Sequence, residues 1–319
     1  MPAEELAIGV DIGGTKIAAG LVTPEGKVLG RLRRSTPGHD ARAVEATVVE
    51  LVTLLGARAP RAAVGVGAAG WMDSTGSTVL FSPHLAWRNE PLRARLEEAL
   101  GRRVMLSNDA DAAGWAEHRF GAARGENEML CLTLGTGIGG AIVLGGTLQR
   151  GRFGVAGEFG HQTLVPGGHR CACGNRGCWE QYASGNALGR EGRALAGSNS
   201  PVAHALRAET QGDASAVTGE MVTRLAEAGD PACSDLVAEA GEWLGLGLAN
   251  LAAVLDPGIM VIGGGLGSAS PTLIEVATAA YKKALSGRGY RPFAKIARAE
   301  LGPDAGIVGA ADLARLPRG

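Results

Sequence analysis

The chain has 319 residues, of which 45% are hydrophobic, 4% aromatic and 20% charged, with a formal net charge of −1. That length predicts two domains or one large α/β unit with a cleft, and the near-neutral charge excludes the basic footprint of nucleic-acid or membrane-surface binding. No apolar run reaches the roughly 18 residues of a membrane helix, and M-P-A-E-E-L at the start lacks the basic and apolar regions of a signal peptide.

The chain opens with a strand over 6–12, a Gly13-Gly14-Thr15 turn and a returning strand over 16–22. Pro24-Glu25-Gly26 turns it into a third strand, 27–34. Val44, Val48, Leu51, Val52 and Leu55 recur at helical spacing within 39–58. A strand over 61–68, a short helix over 91–100, a strand over 103–106 and a helix over 111–120 complete the first half.

The second half opens the same way. A strand over 128–134, the turn G-T-G-I-G-G and a strand over 141–144 echo D-I-G-G-T-K-I-A-A-G-L-V. This internal repeat predicts a duplicated α/β domain. Helices are predicted over 179–195, 217–227, 231–255, 272–285 and 305–313, and strands over 259–262 and 293–298. The segment 197–216 reads as an irregular polar surface excursion.

Glycine is in excess: 51 residues against about 22 expected at ordinary usage. Three glycine elements follow apolar strands. In Asp11-Ile12-Gly13-Gly14-Thr15-Lys16 the backbone N–H groups can cradle phosphate, because no Cβ blocks approach. Lys16 adds a charge, Thr15 a hydroxyl, and Asp11 can hold a water of hydrated Mg²⁺. A plain hairpin turn with an ion-paired Asp explains the same residues. The second element is Gly135-Thr136-Gly137, and the third is Gly263-Gly264-Gly265-Leu266-Gly267. The first has the spacing of neither a P-loop nor a dinucleotide fingerprint.

Ser107-Asn108-Asp109-Ala110-Asp111 closes a strand. A carboxylate there can act as a general base for a hydroxyl, and Asn108 offers both donor and acceptor. Asp at a strand–helix junction is also a common helix cap. Asp111 is read as the cap, and for Asp109 both readings stand.

Cys171, Cys173 and Cys178 fall within eight residues of one another. Such thiolates can converge on a tetrahedral zinc that needs one more N or S donor. His161 is the preferred fourth ligand and His169 the rival; a loop of free thiols is the alternative. Glu158 and Glu180 bracket the cluster, so a closed metal site would act as a peg for groups able to hold a polyhydroxy ligand. Five cysteines, three of them clustered, argue for a reducing, cytoplasmic compartment rather than a disulfide framework. Cys131 and Cys233 read as packing residues, and His39, His84, His118 and His204 as incidental.

D-I-G-G-T-K at Asp11, S-N-D-A-D-A at Ser107, L-G-T-G-I-G-G at Leu134, G-E-F-G-H at Gly157, C-A-C-G-N-R-G-C-W-E at Cys171 and I-G-G-G-L at Ile262 stand in one order along the chain. In these motifs the chain resembles the bacterial ROK sugar kinases, most closely their glucokinase branch. Trp179 is a small departure, where leucine is often found. The resemblance implies a duplicated actin-like ATPase (ribonuclease H-like) α/β fold, two lobes around a cleft. It places the small lobe at 1–109 plus about 303–319 and the large, zinc-binding lobe at 110–302. It also implies phosphorylation of glucose at O6 by ATP with Mg²⁺, and a homodimer or dimer of dimers.

By position, Asp109 would be the base, and Asn108, Asp109, Glu158, His161 and Glu180 would bind sugar. His161, Cys171, Cys173 and Cys178 would hold one structural Zn²⁺ per chain. Gly14, Thr15, Thr136, Gly137, Gly264 and Gly265 would line ATP, beside Asp11, Gly13 and Lys16 of the first turn. The family's DNA-binding branch carries a winged helix before the first motif, for which a motif starting at residue 11 leaves no room. A kinase for fructose, mannose or an N-acetylhexosamine shares the zinc motif. A non-catalytic sugar sensor would need neither Asp109 nor the phosphate turns.

Overall fold

A computed structural model describes residues 6–82, 85–198 and 200–317. The readings of the first five residues and of His84 lie outside them. In chain order the strands are β1 (Ala7–Ile12), β2 (Lys16–Val22), β3 (Val28–Ser35), β4 (Ala63–Ala68), β5 (Trp71–Met72), β6 (Val79–Phe81), β7 (Arg88–Glu90), β8 (Val104–Asn108), β9 (Met129–Leu134), β10 (Ile138–Leu144), β11 (Thr147–Leu148), β12 (Ile259–Gly263) and β13 (Lys295–Arg298). The helices are α1 (Ala41–Gly56), α2 (Leu92–Leu100), α3 (Asp109–Phe120), α4 (Glu180–Ala183), α5 (Gly185–Gly197), α6 (His204–Glu209), α7 (Gly219–Glu227), α8 (Pro231–Leu255), α9 (Gly264–Ala269), α10 (Pro271–Ala284) and α11 (Ala305–Arg315).

Two five-stranded sheets carry the fold, ordered β3-β2-β1-β4-β8 and β11-β10-β9-β12-β13. By their own strand count both run 3-2-1-4-5. The predicted duplication is therefore present as topology. In the first sheet β1 pairs antiparallel with β2 and parallel with β4, and β4 pairs parallel with β8. In the second, β10 pairs antiparallel with β11 and β12 parallel with β13.

The chain divides into two compact units. Unit 1 comprises Met1–Cys131, Gly140–Gly157 and Glu300–Gly319. Its core is aliphatic, with Ile8, Val10, Ile12, Val64, Val66 and Leu106 packed against Val44, Val48 and Leu51 of α1. Gly9 and Gly65 have no Cβ, and the backbone of α11 occupies that space. Buried carboxylates tie the end of the chain down. Glu117 accepts the backbone N–H groups of Ala122, Glu300 and Leu301 at 3.0, 3.1 and 2.8 Å. Asp312 accepts from Trp115 Nε1 at 2.9 Å and Arg119 Nε at 3.2 Å.

Unit 2 comprises Leu132–Gly139 and Glu158–Ala299. Its spine is α8, against which α10 packs closely: Cβ atoms on Gly241 or Gly245 would overlap α10. The indole of Trp179 is fully buried over Gly247 and donates to Trp243 O at 2.9 Å. Cys131 in unit 1 and Cys233 in unit 2 are buried packing residues, as expected. Among the described residues no helix is long and apolar enough to cross a membrane.

Several local expectations are corrected. α3 starts at Asp109, and its cap is Asn108 rather than Asp111. The helix expected over 179–195 breaks at Ser184, whose side chain caps α5 instead. The segment 197–216 holds α6, because Leu206 and Ala203 supply a small buried face. The third glycine element ends β12 at Gly263 and opens the short helix α9 from Gly264. The three-stranded sheet β5-β6-β7 went unread, since its strands are only two or three residues long.

Candidate active site and metal centre

In unit 1, β8 ends at Asn108 and α3 begins at the next residue. Asn108 Oδ1 accepts from Ala110 N at 2.8 Å and Asp111 N at 3.0 Å, while its Nδ2 donates to Gly70 O at 3.0 Å. This brace sets Asp109 as the first residue of the helix, where unpaired N–H groups favour a carboxylate. Asp111 is buried and faces Arg150 Nε at 3.8 Å.

Asp11 stands at the end of β1, above Gly306. A Cβ there would come within 2.7 Å of the Asp11 Cγ. Its carboxyl is pushed up to about 7, first by desolvation and then by the Asp109 charge, with Lys16 opposing. Two carboxylates thus share one end of the sheet, a pattern common at functional sites. The first glycine turn is closed by Gly13 N donating to Lys16 O at 3.0 Å and Thr36 Oγ1 donating to Gly13 O at 2.8 Å. The Gly13 amide is therefore used by the hairpin, and Gly14 and Thr15 form its exposed tip.

In unit 2, the Gly135-Thr136-Gly137 turn is bound by the start of α5. Gly185 N donates to Gly135 O at 2.8 Å and Asn186 N to Thr136 O at 3.3 Å. These residues open onto a cavity of about 770 Å³, whose wall is continued by Gly219, Glu220, Thr223, Arg224 and Glu227 of α7 and by Gly265, Leu266 and Ala269 of α9. Of the glycine-element residues predicted for nucleotide contact in this unit, Thr136 and Gly265 line the cavity. Gly137 and Gly264 stand behind it: Cβ atoms there would collide with the Glu180 carboxylate and with the Leu134 backbone. Sequence reasoning missed the α5 and α7 walls. Ser184-Gly185-Asn186, a capping residue followed by glycine inside an apparently continuous helix, was the available signal.

The cysteine loop folds on itself through Gly177 N to His169 O at 2.8 Å and Cys171 N to Asn175 O at 2.9 Å. Gly174 and Gly177 adopt φ of +98° and +77°, which favours glycine. The loop brings one ligand atom each from His161, Cys171, Cys173 and Cys178 within 4.8 Å of one another. His161 Nδ1 is 3.6 Å from Cys171 Sγ, and Cys173 Sγ is 3.6 Å from Cys178 Sγ. Donors of a tetrahedral zinc, with bonds near 2.3 Å to sulfur, stand roughly 3.7 Å apart. Burial pushes the Cys171 and Cys178 thiols up, a cost that a cation among them would reverse. The donor set and its spacing fit a metal. His169 stands outside the cluster, its ring against Tyr182 at 5.3 Å between centroids.

Both flanking carboxylates reach His161. Glu180 Oε1 lies 3.7 Å from Nδ1 and accepts from Cys171 Sγ at 3.1 Å, and Glu158 Oε2 lies 3.9 Å from Nε2. Unit 2 therefore gathers Glu158, His161 and Glu180 around one loop, with acceptors suited to several hydroxyl groups.

A family model described as the ROK family matches residues 7–316. Over 314 residues, 98% of either chain, the sequence is 44% identical to a glucokinase of Streptomyces coelicolor. It is similar in structure to a ROK family glucokinase from Streptomyces griseus solved in complex with glucose and AMPPNP, with a TM-score of 0.89 and 44% identity over 97% of this chain and 99% of that one. The ROK hexokinase of Thermus thermophilus superposes with a TM-score of 0.80 and 38% identity over 96% and 97%. With the repeated 3-2-1-4-5 sheets, these likenesses bear out the expected actin-like α/β class.

Proposed function

The chain belongs to the ROK family, and on that premise we propose that it transfers the γ-phosphoryl group of ATP to O6 of glucose, giving glucose 6-phosphate and ADP. The observation that carries this reading is Asp109, presented by the Asn108 brace at the first turn of α3 in a chain 44% identical throughout to a bacterial glucokinase. Phosphoryl transfer asks the protein mainly to position groups and neutralise charge.

In this reading Asp109 accepts the O6 proton as general base. Asn108 keeps its second Nδ2 proton for a sugar oxygen, and Glu158, His161 and Glu180 take the remaining hydroxyls. The Gly14-Thr15 tip with Lys16, and Thr136 of the second turn, would take the phosphates, while the cavity of unit 2 takes the nucleoside. Asp11 orients a water of the hydrated Mg²⁺, whose charge offsets that on the phosphates. His161, Cys171, Cys173 and Cys178 hold one Zn²⁺ as a cross-link of the loop that carries Glu180. Cysteines kept out of disulfides suit the reducing cytoplasm, and the family resemblance supports self-association with a dimer as the smallest assembly.

The test is ADP release, enzymatically coupled, over glucose, fructose, mannose and N-acetylhexosamines. Glucose should give the highest kcat/KM. Glucose binding without ADP release would mark a sensor, and a larger kcat/KM for another sugar would move the assignment within the family.

A further inference from the structure

The cavity of unit 2 has two chemically different ends. At one end three backbones meet: Gly185 N donates to Gly135 O, and Gly219 packs on Gly185 so closely that a Cβ would strike its backbone. From there α7 runs along the wall, and Thr223, Arg224 and Glu227 face the cavity in turn. From Gly219 to Glu227 the helix rises by eight steps, about 12 Å. Glu227 therefore marks the end remote from the Gly135-Thr136 turn.

The Glu227 side chain is fixed by a fully buried partner. Ser270 caps α10, its Oγ accepting from Leu273 N at 3.1 Å. Its single hydroxyl proton goes to Glu227 Oε1 at 2.6 Å. One carboxylate oxygen is thus committed to the wall, and Oε2 carries no hydrogen bond among the described residues. One helical turn earlier, the Arg224 guanidinium is held by Glu209 at 2.8 Å. The remote end therefore offers a planar cation, which stacks well on aromatic rings, and one oriented acceptor without a donor of its own.

We propose that Glu227 selects the nucleobase: Oε2 accepts a hydrogen bond from the exocyclic amine of adenine and repels a base with a carbonyl at that position. The inference rests on the nucleotide reading of this cavity given above. A site built to bind a donor discriminates against an analogue lacking it, because the acceptor is then left unpaired against a carbonyl oxygen.

The experiment compares ATP with inosine triphosphate, which replaces the 6-amino group by a carbonyl, at saturating glucose. The unmodified chain should prefer ATP by about 10- to 100-fold in kcat/KM, the range a hydrogen bond to a charged group spans. In Glu227→Gln the amide can donate to the carbonyl, so the ratio should fall to within a few-fold, with the glucose KM unchanged. Glu227→Asp, which retracts the carboxylate, should also lose discrimination. Calorimetric binding of ADP and inosine diphosphate supplies a readout independent of turnover. A Glu227→Gln variant that keeps the full ATP preference overturns the proposal. If no hexose supports turnover yet Glu227 still sets the ADP preference, the kinase reading fails and this one stands.

Discussion

The Glu180 carboxylate occupies the space that a Cβ on Gly137 would fill. This contact joins the second glycine turn to the cysteine loop within unit 2. Glu180 touches Gly137 with one oxygen, while the other accepts from Cys171 Sγ. The glycine is thus required by a side chain just over forty residues away, not by its own backbone angles.

Gly137→Ala is expected to separate stability from sugar binding. The colliding atoms are the end of a flexible side chain, so Glu180 swings aside and the melting temperature stays near that of the unmodified chain. The displaced carboxylate loses its place at the sugar, and the glucose KM rises at least about tenfold, as for loss of a charged hydrogen bond. Steady-state kinetics alongside thermal melts would decide, and an unchanged KM would show that Glu180 does not bind sugar.

Asp109→Asn should lower kcat on the order of 10²–10⁴-fold, the usual range for a lost general base. The fold should survive, because the Asn108 cap is independent of the Asp109 side chain. Turnover near normal would remove Asp109 from the base role.

Asp11 makes stability pH-dependent in a definite direction. Its folded pKa, about 7, lies above the ordinary 3.8, so the folded state favours the neutral acid. The contribution is fully present below pH 3.8 and is lost as pH rises through 7. Asp11→Asn removes the titration. The melting temperature of Asp11→Asn relative to the unmodified chain should therefore climb between pH 4 and 7 and level off above. A flat difference across that range contradicts the raised pKa.

Cys173→Ser or Cys178→Ser should reduce bound zinc from one per chain. Losing a direct ligand should weaken the metal by more than the roughly 10–100-fold typical of a lost outer partner. Glucose affinity should fall with it, since His161 is itself a ligand and Glu180 lies two residues after Cys178 on the cross-linked loop. Elemental analysis and glucose titration on the same samples test this. Metal-free chain with full glucose affinity would refute the coupling.

Glu117→Ala should destabilise unit 1 by about 3–5 kcal/mol, because three backbone N–H groups lose a buried charged acceptor together. Urea denaturation measures the loss. A change under 1 kcal/mol would mean that water replaces the carboxylate.

Much of this protein was legible in the chain itself. The D-I-G-G-T-K and G-T-G hairpins, the long α8 and the Cys-x-Cys-x₄-Cys loop announce themselves because their chemistry is local: glycine at a turn, apolar residues at a fixed period, thiols within reach of one ion. The duplication followed from the same local patterns. The sequence also named Asp109 but left open whether it was cap or base, since both uses place a carboxylate at a strand–helix junction. Only the folded chain put Asn108 in the capping position.

The choice of His161 over His169 was likewise tertiary. Both lie close to the cysteines in sequence, and only the loop's path sends one ring to the sulfurs and the other to Tyr182. The cavity wall on α5 and α7 was invisible for a related reason. Gly185, Gly219 and Glu227 acquire their roles by packing against segments about 30 to 50 residues away, and no spacing rule reaches across such loops. What the sequence determined by itself is the set of local devices and the family they belong to. What the tertiary structure decided is which donors, acceptors and missing Cβ atoms meet, because that depends on contacts that exist only once the sheets and helices have packed.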